Sequence, residues 1–253
     1  MRAWAWRTII IVCWLVAWQA IAQILLDIKP TNRFSVATPL QVGEALWGFI
    51  TGTAPGPVAD ANSQLLLTLY QIGLAFVIAA FVGLGSGMLI GSFKFIGETL
   101  EPIIITLLAV PNFVLLPIFW LVFGLGTPTA VAFGALLGFF PSIANTVAGT
   151  RQVEIQFFTL STSMGATTLQ TFMKVVIPGS AGPIISGLKQ GFSLAVIGVV
   201  GSQIILPTSG LGKVIDDAQG YFFTPEMYAV ILIAIMIAVM RNIIFSYVER
   251  RIV

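Results

Sequence analysis

The chain of 253 residues is 57% hydrophobic and 9% charged, with a formal net charge of +2. Because soluble domains carry about 25% charged residues, this composition excludes an ordinary soluble protein and indicates one that lies in a membrane. Histidine is absent, so no histidine serves as a metal ligand, general base or proton shuttle, and we predict neither a metal site nor a catalytic residue.

Six apolar stretches follow one another along the chain, and charged residues mark most of their ends. A helix needs about 20 mostly apolar residues to cross the hydrocarbon core, and the first stretch is too long for a signal peptide. The uncharged run 102–150 is long enough for two spans, which the turn from Gly124 to Pro128 separates. We predict an all-α polytopic membrane protein with one transmembrane domain over 1–253. Its spans are expected at about 8–26, 65–90, 102–123, 128–149, 184–206 and 227–248.

The positively charged residues separate by side of the membrane. With the N-terminus inside, seven Lys and Arg residues fall on the inner side and three on the outer side, and cytoplasmic loops carry the excess of such charges. We therefore predict cytoplasmic N- and C-termini, a cytoplasmic loop at 151–178 and an outer loop at 27–62 with a helix-like stretch over 39–49. The inner set is Arg2, Arg7, Lys94, Arg151, Lys174, Arg250 and Arg251, and the outer set is Lys29, Arg33 and Lys213.

Small residues recur inside the spans at a spacing of four. This GxxxG spacing lets helix backbones approach closely, so we predict tight helix packing rather than direct contact with a solute. The pairs are Gly87/Gly91, Gly134/Gly138 and Gly187/Gly191.

The third predicted span contains two prolines, Pro111 and Pro117. Prolines free backbone carbonyls, which membrane helices tolerate where the backbone is buried in protein or lines a cavity. Glu101 precedes Pro102 and is expected at a helix start, where the helix dipole favours a carboxylate. The predicted translocation pathway uses polar and aromatic residues of the spans, namely Asn112, Phe113, Ser193 and Gln203.

The 151–178 loop carries its apolar residues at helical spacing. They lie at 157, 160 and 164, then at 169, 172, 173 and 176, the pattern of amphipathic helices. Gly165 interrupts the pattern, Thr167 and Gln170 have the spacing of a capping box, and Pro178 is expected to end the second helix. Two short helices joined at a glycine suit a docking element for a soluble partner, although a helix pair in the membrane interface fits the same pattern.

An ordered series of motifs from about Leu65 onward resembles the permease subunit of ATP-binding cassette (ABC) importers, in the group that takes up nitrate, taurine, alkanesulfonates and related compounds. The family has an EAAxxxGA loop, which here reads Thr159-Leu160-Ser161 and then Gly165-Ala166. This sequence therefore lacks the acidic first residue of that motif, and Gln203 stands where many members have a glutamate. The series also includes Glu101-Pro102, Pro111, Pro117, Phe123 to Gly126, Phe139 to Pro141, Asn145-Thr146 and Gly210 to Gly212.

This resemblance implies a type I ABC importer permease fold in the bacterial plasma (inner) membrane. It implies three kinds of protein partner: ABC ATPase subunits, a second copy of this permease or a related permease, and a periplasmic or lipoprotein solute-binding protein. ATP and Mg²⁺ would bind to the ATPase, so this chain is expected to hold no cofactor and to be no enzyme. The sequence agrees, because Gly212-Lys213 is not part of a phosphate-binding GxxxxGK[ST] loop. Membrane lipid is an expected partner and nucleic acid is not.

The resemblance also assigns coupling to the ATPase to one set of residues in the 151–178 loop. A stand-alone secondary transporter or pore is the alternative, but the sequence has no inverted repeat and no buried carboxylate within its spans. A membrane scaffold would leave the proline-broken third span unexplained, and an intramembrane enzyme would lack a nucleophile with a base. The coupling set is Thr159, Leu160, Ser161, Met164, Gly165, Ala166, Thr167, Leu169 and Phe172.

Overall fold

A computed structural model describes residues 2–108, 110–153, 157, 160–161 and 163–252, and the secondary structure of this part is helical throughout. We number the α-helices α1 Arg2–Ile28, α2 Pro39–Thr51, α3 Ala61–Ser92, α4 Lys94–Leu108, α5 Leu116–Phe123, α6 Thr127–Gln152, α7 Thr168–Thr171, α8 Ile177–Gly179, α9 Ala181–Ile205, α10 Gly210–Gly220 and α11 Thr224–Ile252. Short 3₁₀ helices lie at Pro30–Phe34, Gly56–Val58 and Asn112–Leu115, and Phe172–Val176 is π-helical.

Four helical stretches of the described residues are long and apolar enough to cross a membrane: Trp6–Ile28, Ala61–Ser92, Thr127–Gln152 and Ala181–Gly220. Two shorter apolar helices lie at Asn112–Phe123 and Thr224–Met240. The prediction of an all-helical membrane protein is confirmed. The count of six spans and the side on which the termini lie stay predictions.

The chain divides into two compact units, and the first comprises Met1–Leu67 with Gln203–Met236. Its helix α2 begins with a complete capping box, because Thr38 accepts the N–H of Gln41 while the Gln41 side chain accepts the N–H of Thr38. Helix α2 covers the helix-like stretch that the sequence predicts in the outer loop. Gly52, with φ of 72°, ends it in the left-handed conformation that glycine adopts without strain.

The second unit comprises Thr68–Ser202 with Ile237–Val253. Its core is formed where α3, α6 and α9 pack together through small apolar side chains. Small residues let helix backbones approach closely when lipid offers no hydrophobic driving force between helices. The buried members are Ile72, Ala75, Ala130, Val131, Ala135, Ala195, Val196 and Val199.

A ladder of glycines against hydroxyl residues joins α3 to α6 within the second unit. A Cβ placed on Gly87 would lie 2.6 Å from the Cβ of Thr146, and one on Gly91 would lie 2.7 Å from the Cβ of Thr150. The hydroxyls of Thr146 and Thr150 each donate to the carbonyl four residues earlier, at 2.6 Å. The close approach confirms the predicted role of the glycine spacing, because no side chain larger than hydrogen fits at these crossings.

The predicted third span is not one continuous helix. Helix α4 ends at Leu108, a 3₁₀ turn follows Pro111, and α5 starts at Leu116 with Pro117 in its first turn. Each proline removes a backbone donor, so the helical hydrogen bonds cannot continue unbroken through this region. As predicted, a glycine turn ends α5, with positive φ at Gly124 and Gly126.

Candidate functional site

The glycine at the centre of the 151–178 segment closes a helical turn. Met164 donates its backbone N–H to Leu160, and Ala166 donates to the Ser161 carbonyl at 3.0 Å. Gly165 lies between them with φ of 75°. A bond from the residue after a left-handed glycine back to the third residue from the helix end is that of a Schellman motif, so Gly165 ends one helix, as the sequence predicts.

The next helix begins two residues later in a capping box. The Gln170 side chain accepts the N–H of Thr167 at 2.9 Å, and the Thr167 hydroxyl accepts the N–H of Gln170 at 3.3 Å. The hydroxyl of Thr171 donates to the Ser161 hydroxyl at 3.0 Å, and both residues are buried. This bond connects the two arms, and we name the arrangement of residues 160–161 and 163–176 the docking hairpin.

The docking hairpin and Phe157, three residues before it, expose large apolar side chains. Leu160 is 58% exposed, Met164 is 79% exposed and Met173 is 58% exposed. Phe157 is likewise more than half exposed, whereas Phe172 is half-buried. A fixed backbone that holds apolar side chains away from its own core presents a surface suited to a partner.

The structure differs from prediction at the end of this segment. Pro178 does not end the helix, because the π-helical turns of Phe172–Val176 continue into α8, which includes Pro178 in its first turn. Proline has no backbone N–H, so the helical hydrogen bond that residue 178 would donate is absent from this helix. Thr159 and the Leu169 side chain, both predicted to contact the ATPase, lie outside the described residues.

Two of the predicted pathway residues lie at the break between α4 and α5. The Oδ1 atom of Asn112 is buried without a hydrogen-bond partner in the described part of the chain. The ring of Phe113 packs 5.2 Å from that of Phe133, and a Cβ on Gly201 would lie 2.7 Å from its Cζ atom. The break therefore brings the Phe113 ring against α6 and α9.

The other two predicted pathway residues lie on α9 in different settings. Ser193 is half-buried and donates to the Lys189 carbonyl at 3.2 Å. Gln203 is 2% exposed, and its Oε1 atom accepts the N–H of Gly212 at 3.2 Å. This describes the bonding of Gln203 in one conformation, and its predicted place in the pathway stays a prediction.

Gln203 belongs to a cap for α10 that the sequence did not reveal. Ser209, the N-cap residue, makes no side-chain cap bond. The N–H of Gly210 donates to Oε1 of Gln64 at 2.6 Å, next to the bond from Gly212 to Gln203. Two glutamines distant in sequence thus satisfy the first donors of α10, which an N-cap side chain would otherwise do.

The structure also contains an ion pair that the sequence analysis did not predict. Arg151 donates from Nη1 to Oε2 of Glu101 at 2.8 Å. Glu101 lies within α4 and not at a helix start, so the expected interaction with the helix dipole is replaced by this pair. Because Glu101 and Arg151 are fifty positions apart, no local sequence pattern predicts that they pair. The only available indication was that both charges lie near the predicted end of a span.

Together these features define a polytopic helical membrane protein that presents an exposed docking hairpin. The sequence profile of binding-protein-dependent transport system inner membrane components matches residues 75–253, and the chain belongs to this family. It is a permease subunit of an ABC importer and not an enzyme.

Relatives of known function support this assignment over most of the chain. The chain is 28% identical to the putative aliphatic sulfonates transport permease protein SsuC of Bacillus subtilis, over 74% of this chain and 68% of that protein. It is 25% identical to the nitrate import permease protein NrtB of Synechocystis, over 94% and 86%. It is 28% identical to the taurine transport system permease protein TauC of Escherichia coli, over 84% and 77%.

Solved structures share the fold at lower identity. The inward-facing MetNI methionine ABC transporter matches with a TM-score of 0.68 at 16% identity, over 79% of this chain and 99% of that chain. An amino acid ABC transporter crystallised with histidines matches with a TM-score of 0.59 at 23% identity, over 75% and 92%. These similarities establish a type I ABC importer permease fold.

Proposed function

We propose that this permease forms, as a dimer with a second copy or a related permease, the membrane pathway for a small organic or inorganic solute. The names of its relatives favour nitrate, taurine, an aliphatic sulfonate or a related compound. A separate ATPase would bind ATP and Mg²⁺, and this chain would hold no cofactor of its own. A periplasmic or lipoprotein solute-binding protein would deliver the solute to the outer side of the bacterial inner membrane.

The observation that carries this proposal is the exposed apolar surface of the docking hairpin. Its backbone is fixed by the glycine turn, the capping box and the bond between its arms, whereas Leu160, Met164 and Met173 are exposed. The described residues of the coupling set, including Ser161, Ala166, Thr167 and Phe172, belong to the docking hairpin. ATP-driven closure of two ATPases would move these hairpins as rigid bodies and switch the pathway between inward and outward access.

The pathway is proposed to use Asn112, Phe113 and Ser193. The break between α4 and α5 interrupts the α-helix within a predicted span, and membrane helices tolerate such breaks where the backbone is buried in protein or lines a cavity. Asn112 offers there a buried amide oxygen that lacks a protein partner in the described structure. Gln203, the fourth predicted pathway residue, is retained in this proposal.

Substitution of Gly165 tests the docking assignment. A Cβ at Gly165 would meet no atom of the described residues within 4 Å, but any side chain must adopt a φ of 75°. We compare Gly165→Asn, which tolerates that φ, with Gly165→Trp, which adds bulk toward the partner. The Trp variant should lower coupled uptake at least about tenfold, the scale of a lost interface hot spot, while the Asn variant retains most of it.

The assay uses proteoliposomes with the ATPase and binding protein encoded in neighbouring reading frames. Uptake and ATP hydrolysis are measured together for both variants, with each relative's named solute supplied in turn. Uptake by Gly165→Trp at the rate of the unsubstituted protein would show that the hairpin does not dock to the ATPase. Absence of a co-purifying ATPase would instead contradict the proposed function itself.

A further inference from the structure

The last turn of α6 contacts three other helices through three consecutive residues, all within the second unit. A Cβ on Gly149 would lie 2.8 Å from the Cβ of Pro183 on α9. Thr150 packs against Gly91 of α3, and Arg151 pairs with Glu101 of α4. The docking hairpin follows only a few residues later along the chain. One route by which a displacement of the hairpin reaches the other helices therefore runs through this turn.

The contact with α4 differs in kind from the other two. Gly149 and Thr150 pack without space for an added methyl group, and interfaces of that kind hold rigidly. Arg151 and Glu101 are each 42% exposed at their side chains. Partly exposed ion pairs contribute little to folding stability because water and salt screen them, so this contact is held by charge and not by close packing.

The α4 face is shaped to receive the arginine. Gly97 and Glu101 are four residues apart and so lie on one side of the helix. A Cβ on Gly97 would lie 2.5 Å from Nη2 of Arg151 and 2.9 Å from the Ile90 carbonyl oxygen. The absence of a side chain at Gly97 thus leaves room for the guanidinium to cross α4 and reach the carboxylate one turn further on.

Helix α4 leads directly to the break that contains Asn112. We infer that Arg151 and Glu101 are positioning residues for transport, whose ion pair connects the end of α6 to α4 so that movement of the docking hairpin displaces the break. This inference rests on the proposed function, because it requires the hairpin to be moved by an ATPase. It adds a defined route from the hairpin to the pathway.

The experiment follows the break directly and needs no identified solute. In a Cys13→Ala background, Val114→Cys carries an environment-sensitive bimane label, since Val114 adjoins Asn112 and is exposed. The complex with its ATPase is reconstituted in lipid nanodiscs, and the fluorescence change on adding MgATP and vanadate is recorded. Arg151→Gln and Glu101→Gln each remove one partner of the ion pair, and the double variant Arg151→Glu with Glu101→Arg exchanges the two charges. The matched control is Glu44→Gln, which removes an exposed carboxylate on α2.

Each single variant should reduce the nucleotide-dependent change about twofold to fivefold, the range expected for loss of an exposed ion pair. The exchanged pair should recover it, and the control should match the unsubstituted protein. A full response in either single variant, or no recovery in the exchanged pair, overturns the inference. If a single variant is unstable, Arg151→Lys, which keeps the positive charge, is tested instead and should retain the response. Loss of the response in Arg151→Lys would also count against the inference.

The two proposals fail in distinguishable ways. If the unsubstituted complex shows no response to MgATP and vanadate and binds no ATPase, the proposed function is wrong. Suppose instead that the unsubstituted complex responds, that Gly165→Trp abolishes the response and that the ion-pair variants respond fully. The docking assignment would then be retained, and the ion pair would have no positioning role.

Discussion

Individual polar residues have different roles in this protein, and their burial separates them. Asn112 and Gln203 are both amides that the sequence assigns to one pathway. The Gln203 oxygen accepts a backbone N–H within α10, whereas the buried Asn112 oxygen has no partner in the described structure. Since burying an unsatisfied polar group costs free energy, an amide held in that condition beside a proline break fits a site that receives a donor from a solute or water.

Replacing Asn112 tests this role. Asn112→Leu should lower the uptake rate about fivefold, because one hydrogen bond contributes about 1 kcal/mol. The control is Thr106→Val on α4, because the exposed Thr106 hydroxyl donates to the Pro102 carbonyl of the same helix. Uptake and ATP hydrolysis are measured in the same vesicles, and an Asn112→Leu rate equal to that of the control would exclude Asn112 from the pathway.

At the scale of elements, the packing of α3 on α6 depends on where each glycine lies around the helix. Gly85 and Gly87 are two residues apart on α3. A Cβ on Gly85 would meet no described atom within 4 Å, whereas one on Gly87 would lie 2.6 Å from the Cβ of Thr146. Only the second glycine is therefore required by the crossing. The GxxxG spacing predicts which glycines pack, and the structure identifies their partners.

These two glycines form a matched pair for a stability measurement. Gly87→Leu should destabilise the protein by about 1–3 kcal/mol, as overpacked interiors do, whereas Gly85→Leu should change stability by less than about 0.5 kcal/mol. Thermal unfolding of the detergent-solubilised protein measures both. Equal unfolding midpoints for the two variants would contradict the crossing as described.

At the scale of the whole molecule, the orientation in the membrane depends on charges rather than on packing. The predicted inner side carries seven Lys and Arg residues and the outer side three, so the docking hairpin and α10 should lie on opposite sides. Gln170 and Gln219 are exposed residues of these two regions.

Thiol labelling tests this arrangement in intact cells. In a Cys13→Ala background, Gln219→Cys should react with a membrane-impermeant maleimide, and Gln170→Cys should react only after permeabilisation. The ratio of labelling before and after permeabilisation is measured for each variant. Rapid labelling of Gln170→Cys in intact cells would place the docking hairpin outside and remove its contact with a cytoplasmic ATPase.

Local patterns in the sequence determined a substantial part of this protein. The helical class, the glycine turn before α6, the left-handed Gly165 and the capping box at Thr167 all depend on residues close together along the chain. Backbone conformation and helix ends follow from such neighbours. The ordered series of motifs was also sufficient to indicate the permease family.

Other features were decided by tertiary structure alone. Gln64 and Gln203 cap α10 from 146 and 9 positions away, and Glu101 meets Arg151 across 50 positions. An amide that caps a helix and an amide proposed for a pathway have the same functional group, and only their surroundings distinguish them. The sequence thus determined which segments are helical and where they turn, whereas the folded chain decided which polar groups meet, because such contacts depend on how distant helices pack.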